Sequence, residues 1–198
     1  MKLGDYAKIR TGLPLSRKQG DPKTTKYAYM ALTLKAQSED GHINLDYAEP
    51  YHAIEMLKHE YFTNVGDVLI RLSAPYTATV IDEGKDNLLV SQHFSIIRCL
   101  DGIVNPQYLR WWLSQNRKQF YKSASGATLM GTISSGYIGE LTFAPPPFDV
   151  QQRIGELLKF SLQEAALLKR LSEAKSRLIN AAIIKITTKT TEVTTHDQ

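Results

Sequence analysis

The most regular hydrophobic pattern lies in the C-terminal quarter of the chain. From residue 150 to about residue 186 there is no proline and one glycine, and apolar residues recur at a mean spacing of about 3.5 residues, the coiled-coil period. The positions are Ile154, Leu158, Leu162, Ala165, Leu168, Leu171, Ala174, Leu178 and Ala182. The pattern predicts one long coiled-coil-type helix over 149–186, with Leu158, Leu162, Leu168, Leu171 and Leu178 as dimerisation residues. The alternative is an amphipathic helix packed on its own domain.

The first 148 residues have shorter patterns. Alternating or continuous apolar runs bounded by Gly, Pro and Asn predict strands over 27–34, 67–72, 78–82 and 93–100. Helices are predicted over 53–59 and 106–120, the second with Asn105 as N-cap and Pro106 in the first turn. Strands without regular strand-helix alternation indicate an α+β fold. We therefore predict one mixed, strand-rich domain over 1–148, ended by the stiff prolines 145–147, then the helix, then a polar, disordered tail over 187–198.

Composition agrees with a packed globular protein. The sequence is 42% hydrophobic and 22% charged, and no run approaches the roughly 20 apolar residues that a membrane span needs. The N-terminus has no apolar leader segment, so we expect a cytoplasmic protein without membrane association. Cys99 is the single cysteine and lies within an apolar run, which indicates a buried core thiol.

The net charge of +4 is small, but charge is unevenly distributed along the chain. Residues 1–36 carry eight basic and two acidic residues, residues 37–104 carry four and eleven, and residues 105–148 carry four and one. A fold that brought the first and third segments together would have one basic and one acidic face. The alternative is solvated charge on unrelated loops.

Three enzymatic interpretations were weighed. The sequence Asn105-Pro106-Gln107-Tyr108 resembles the Asn-Pro-Pro-Tyr element of adenine-N6 methyltransferases, but it lacks the second proline and no Gly-rich cofactor loop precedes it. Asp67, Glu83 and Lys85 have the residue types of a metal-dependent nuclease, but in a degenerate spacing. The histidines show no ligand spacing. We therefore expect no catalytic residues, no metal site and no bound cofactor, with the nuclease as the alternative.

Three polar loops instead have the residue types that contact nucleic acid. They cover residues 15–27, 71–77 and 121–128, and they combine basic side chains with hydroxyl groups. The predicted DNA contacts are Arg17, Lys18, Lys23, Lys26, Arg71 and Lys122, with Ser73, Tyr76, Ser125 and Thr128 as polar contacts. Each loop alone is a weak signal, but together they favour DNA binding over catalysis.

The order of short segments resembles a target-recognition domain of a type I restriction-modification specificity subunit. The segments are Leu3 to Gly12, Gly66-Asp67-Val68-Leu69-Ile70, Ser91-Gln92-His93-Phe94, Asn105-Pro106-Gln107-Tyr108-Leu109, Gly126-Ala127-Thr128 with Ile133-Ser134, and Pro145 to Ile154 leading into the long helix. The resemblance covers nearly the whole chain. It implies that residues 1–148 read a half-site in double-stranded DNA and that the helix sets the spacing between half-sites.

The resemblance also implies partners. Members of this family usually carry two recognition domains, each followed by a helix, and the two helices pack antiparallel. This chain has one of each, so we expect a half-length subunit that forms a homodimer, a recombination cassette, or a truncated fragment acting as a decoy. The family's partners are a methyltransferase subunit that uses S-adenosylmethionine and an ATP-driven translocating nuclease subunit, and by resemblance this chain binds neither cofactor.

Overall fold

The computed structural model describes residues 1–127 and 131–194, with side chains described for 1–124 and 131–185. The chain divides into two compact units, Met1–Glu156 and Leu157–Gln198. The strands are β1 (Ala7–Thr11), β2 (Tyr27–Leu32), β3 (Glu49–Ala53), β4 (Val68–Arg71), β5 (Ala78–Val80), β6 (Leu89–Val90) and β7 (Phe94–Cys99). The helices are α1 (Pro106–Gln115), α2 (Arg117–Ala127), α3 (Ser135–Glu140) and α4 (Phe148–Thr194). The predicted α+β class is confirmed.

A four-stranded antiparallel sheet, in the order β1-β7-β4-β5, forms the centre of the first unit. Strand β4 lies inside this sheet and is buried on both faces, which is why its sequence is a continuous apolar run. Val68 and Ile70 pack in one cluster with apolar side chains of α1, α2 and α3, whereas Leu69 and Ile96 pack in a second cluster. All four predicted strands form, each trimmed at one or both ends.

A three-stranded sheet, in the order β3-β2-β6, lies beside the first. Strand β2 is antiparallel to β3 and parallel to β6. One face packs on Leu13, Leu57 and Phe62, while Met30 on the other face is exposed. The predicted helix over 53–59 is wrong, because the backbone at Ala53 pairs with Tyr27 in the sheet instead of turning into a helix.

Helix α1 begins where the sequence predicts. The Asn105 side chain accepts hydrogen bonds from the backbone amides of Gln107 and Tyr108 at 3.0 and 3.1 Å, and Pro106 takes the first turn. The predicted single helix over 106–120 is interrupted at Asn116. The side-chain amide nitrogen of Asn116 donates to the Trp112 carbonyl at 2.8 Å, and α1 ends there before α2 starts.

The first turns of α4 are fixed to the loop before α1 by a buried glutamine. Gln151 accepts from the Asn105 backbone amide at 3.0 Å and donates to the carbonyls of Ile103 and Pro146 at 3.1 and 2.8 Å. A side chain at Gly155 would lie 2.6 Å from the Asn105 Oδ1, so glycine permits this close approach.

Helix α4 continues to Thr194, past the predicted end at 186, so much of the predicted tail over 187–198 is helical; residues 195–198 lie outside the described residues. Within the second unit, Leu168, Leu171 and Leu178 are 60%, 65% and 71% exposed, and Leu158 and Leu162 are half-buried. Among the described residues, no helix is both long and apolar enough to span a membrane.

Candidate nucleic-acid interface

The first predicted contact loop precedes β2 and is built around Asp21. The Asp21 carboxylate accepts from the Lys23 backbone amide at 2.9 Å, and its carbonyl accepts from the amides of Thr24 and Thr25 at 3.1 and 3.0 Å. This turn leaves the Lys23 side chain exposed, and the Lys26 ammonium lies 5.4 Å from the centre of the Tyr27 ring. The loop therefore presents cations from a hydrogen-bonded backbone.

The acidic middle segment neutralises part of this basic loop. Lys18 is paired with Glu55, and Arg10 on β1 is paired with Glu60 at 2.5 Å. The Arg10 hydrogen bond is the main cause that lowers the pKa of Glu60. The first and third charge segments do meet, since α3 packs on β1. In the described part of the chain, Arg17, Lys23 and Lys26 have no ion pair, so they are the cations of this loop that remain open to a partner.

A second group of predicted contacts lies at the end of the large sheet where β4 stops. Arg71 is half-buried, and its Nε has no hydrogen-bond partner among the described residues. Ser73 follows in the loop and forms an isolated bridge with Thr132. The Thr11 and Ser135 hydroxyls lie 2.7 Å apart at the end of β1. The strand register places Arg71 and Thr11 at the same end of the large sheet, since Arg71 pairs with Phe94 and Thr11 with Ser95.

Tyr76 belongs to this loop, and its buried side chain anchors the loop to the large core. Its side chain is 1% exposed, its ring lies 5.8 and 5.0 Å from those of Phe120 and Tyr121, and its hydroxyl donates to the Gly131 carbonyl. Burial raises the pKa of Tyr76, so the phenol stays protonated and can donate. Its φ of 53° is strained for a bulky residue and is kept by this packing. Tyr76 is thus a core residue, and we leave it out of the proposed DNA contacts.

The third predicted loop, over 121–128, is instead helical as far as Ala127, because Phe120 and Ala124 pack into the large core one turn apart. Lys122 is exposed on this helix, next to Tyr121, whose ring contacts Tyr76. Helix α2 therefore contacts the loop after β4 through the Tyr121 ring. The Ser125 side chain and Thr128 lie outside the described residues.

A groove of about 410 Å³ lies between the two groups and was missed at the sequence level. Its lining includes Ser16, next to Arg17 on one side, and His93 on the other, whose carbonyl accepts from the Leu72 amide at 2.9 Å. Gln92 and Thr33 also line it. The one available signal was the polar triplet at 91–93 between two apolar strands.

The residues of the nuclease alternative are not assembled into a site. Both Asp67 carboxylate oxygens bind Arg98, at 2.8 and 2.7 Å, and this hydrogen bonding is the main cause that raises the pKa of Arg98. The Lys85 Nζ lies 3.6 Å from the Asp82 Oδ2. In the ranges that the structure describes, no three His, Cys, Asp or Glu side chains are grouped to hold a metal. Asn105 is engaged as a helix cap, which leaves the methyltransferase interpretation without support.

These features define a class: a strand-rich α+β domain with a polar surface at one sheet end, followed by a long helix. No protein-family model matches the sequence, and no curated protein matches it. Among solved structures, the chain is similar over 86% of its length to the HsdS subunit from Thermoanaerobacter tengcongensis, with a TM-score of 0.57 and 19% identity over 38% of that chain.

Two further solved chains are similar over the same share of this chain. One belongs to a structure that addresses complex assembly and conformational transition of the type I R-M system, with a TM-score of 0.59 and 20% identity over 39% of its length. The other is the type I restriction-modification S subunit from M. genitalium, with a TM-score of 0.53 and 11% identity over 40% of its length. The chain has the fold of these subunits and spans about two fifths of their length, so the predicted resemblance is confirmed at the level of the fold.

Proposed function

We propose that this chain is the DNA-recognition subunit of a type I restriction-modification system and has no catalytic residues of its own. The observation that carries the proposal is the similarity in fold to S subunits over 86% of the chain. By this analogy the chain binds double-stranded DNA in the cytoplasm and directs a methyltransferase subunit and a translocating nuclease subunit, which hold the cofactors.

The exposed cations and the sheet-end group have different tasks in this proposal. Lys23 and Lys26 are exposed without a carboxylate partner among the described residues, which suits contact with phosphate. Arg71 is half-buried, which suits contact with a base edge because a partly fixed guanidinium discriminates better than a mobile one. Ser73, on the loop after β4, and Lys122, on α2, are proposed as further contacts to DNA.

Reversing the charge of the exposed loop tests DNA binding. The double variant Lys23→Glu, Lys26→Glu should weaken binding to all duplexes and reduce the slope of log K against log salt by about two, one for each lysine that no longer neutralises a phosphate. Binding would be measured by fluorescence anisotropy on random-sequence duplexes at several salt concentrations. The control is Lys8→Glu, Lys58→Glu, since both lysines are exposed and lie outside the proposed interface. Equal slopes for wild type and the loop variant would contradict the proposed contacts.

We further propose that two copies pair through the second unit, antiparallel and with two-fold symmetry. The support is the exposed apolar surface of Leu168, Leu171 and Leu178, which is larger than isolated surface leucines require. A two-fold axis across a helix pair makes the helices antiparallel and relates two identical DNA readers, so the target is an inverted repeat with a spacer.

Light scattering at tens of micromolar tests this pairing. Wild type should be a dimer, and Leu168→Lys, Leu171→Lys should be a folded monomer, because a buried lysine ammonium without a partner is costly. The matched control is Ser176→Lys, Asn180→Lys, which adds the same charge at exposed positions on a different side of the helix and should stay dimeric. A monomeric wild type would instead support the truncated or decoy form.

A further inference from the structure

We propose that Gln92 is a specificity-determining residue that reads the major-groove edge of an adenine lying against the groove beside it, with His93 as its neighbour in the same contact. This inference rests on the proposed function, since it names a residue through which the DNA reader would distinguish bases. Neither residue belongs to the basic loop or to the sheet-end group that sequence patterns indicated.

The turn that carries Gln92 and His93 has a rigid backbone. The three residues 91–93 join β6 to β7, and hydrogen bonds fix their backbone on both sides. The Gln92 amide donates to the Leu13 carbonyl at 2.8 Å, the Phe94 amide donates to the Ser91 carbonyl at 3.1 Å, and the His93 carbonyl accepts from the Leu72 amide at 2.9 Å. A side chain on such a backbone loses little freedom on binding, which favours discrimination.

Gly12, which directly follows β1, packs against the same turn. A Cβ at Gly12 would lie 2.2 Å from the Ser91 carbonyl oxygen, so the two backbones are in direct contact and only glycine fits. The Gly12 amide also donates to the Phe94 carbonyl at 3.0 Å. The turn is therefore held by β1, β4 and the loop after β1, while the side chains of Gln92 and His93 are exposed.

The groove beside this turn is lined by polar and charged residues. Ser91 is 2% exposed, and its hydroxyl, like that of Thr33, has no hydrogen-bond partner among the described residues. Both hydroxyls are buried, so the polar groups that the groove presents to a ligand are the exposed side chains of Ser16, Gln92 and His93. The rim carries both signs of charge, with Lys35 lying 3.4 Å from Glu49. The groove combines donors and acceptors.

This mixture favours a base edge over a phosphate. A phosphate offers acceptors only and meets a rim whose Lys35 is already paired with Glu49, whereas a base edge offers donors and acceptors together. The side-chain amide of Gln92 carries one carbonyl oxygen and one NH₂ group, which match the N6 amino group and N7 of adenine in a bidentate contact. His93 and Ser16 lie on either side of the groove, where they can contact the flanking nucleotides.

Selection from a random duplex library with the purified full-length chain tests the inference. Wild type should enrich a motif that includes an adenine, and Gln92→Ala should lose the preference at that one position by about tenfold or more, with the preferences at other positions and the affinity for non-specific duplexes kept. Gln92→Glu should shift the preference toward cytosine, because a carboxylate accepts from the cytosine N4 amino group. The control is Gln152→Ala, an exposed glutamine on α4, which should enrich the wild-type motif.

The outcomes separate the two proposals. A wild-type chain that enriches no motif overturns the proposed function and this inference with it. A wild-type motif that Gln92→Ala reproduces in full overturns the inference alone. If Gln92→Ala weakens binding to every duplex equally and reduces the salt slope, Gln92 contacts the backbone, and the adenine assignment is wrong.

Discussion

Replacing Arg98 tests the assignment of Asp67 to the fold instead of to a catalytic site. The Asp67 side chain is 2% exposed and receives two hydrogen bonds from the Arg98 guanidinium, which also donates to the Phe62 carbonyl at 3.3 Å. The variant Arg98→Met keeps the apolar stem of the side chain and removes the charge. The Asp67 carboxylate then keeps the Asn64 backbone amide as a donor but loses its counter-ion.

The expected loss follows from burial. Breaking a buried ion pair costs roughly 3–5 kcal/mol, because the remaining charge is neither solvated nor paired. The Arg98 side chain is 36% exposed, so water compensates part of this cost. We expect Arg98→Met to lower the free energy of unfolding by about 2–4 kcal/mol at pH 7, measured by urea denaturation. The exposed Arg177→Met serves as the control and should change it by less than about 0.5 kcal/mol.

A double-mutant cycle isolates the pair. Asp67→Asn removes the charge that Arg98→Met leaves uncompensated, so the double variant should be more stable than the sum of the two single effects predicts, by at least about 1 kcal/mol. Additive effects, or a loss below about 1 kcal/mol for Arg98→Met, would refute the structural role of the pair. Stabilisation of the wild type by Mg²⁺ would instead favour the nuclease alternative.

Two further predictions concern local chemistry. Asn105→Ala should cost about 1–2 kcal/mol in urea denaturation, since two α1 amides lose their acceptor; unchanged stability would mean that the cap is dispensable. Burial, with smaller contributions from Asp67 and Asp101, raises the pKa of the Cys99 thiol from about 9.0 to about 12. Folded protein should therefore react slowly with iodoacetamide at pH 9, and stability from this group should fall as pH rises from about 9 to 12, because the unfolded thiol ionises first. Rapid alkylation of the folded chain at pH 9 would contradict this.

The sequence predicted those elements whose cause is local. Apolar runs placed β2, β4, β5 and β7, and the Asn105-Pro106 pair placed the start of α1, because capping and periodicity act within a few residues. Predictions failed where distant partners decide. At Ala53 the backbone pairs in a sheet with β2, and α2 forms where a loop was expected because its apolar residues pack into the core.

The candidate site was predicted less completely than the fold. Polar composition identified Lys23, Lys26 and Arg71 as exposed or partly exposed groups that can meet DNA. It also selected Tyr76, which is buried, because a tyrosine in a polar loop gives no sign of whether its ring meets solvent or the core. The turn with Gln92 and His93 was missed as a contact since two polar residues between strands look like any hairpin connection.

By itself, the sequence determined the α+β class, the long apolar-striped helix and the order of segments that resembles a type I specificity subunit, because hydrophobic periodicity and chain order are written directly in the residues. Only the tertiary structure decided which charged side chains form ion pairs, such as Lys18 with Glu55, and which have no ion pair among the described residues. It alone also placed the groove between Ser16 and His93. Such choices depend on contacts between residues far apart in the chain, whose energies no local pattern encodes.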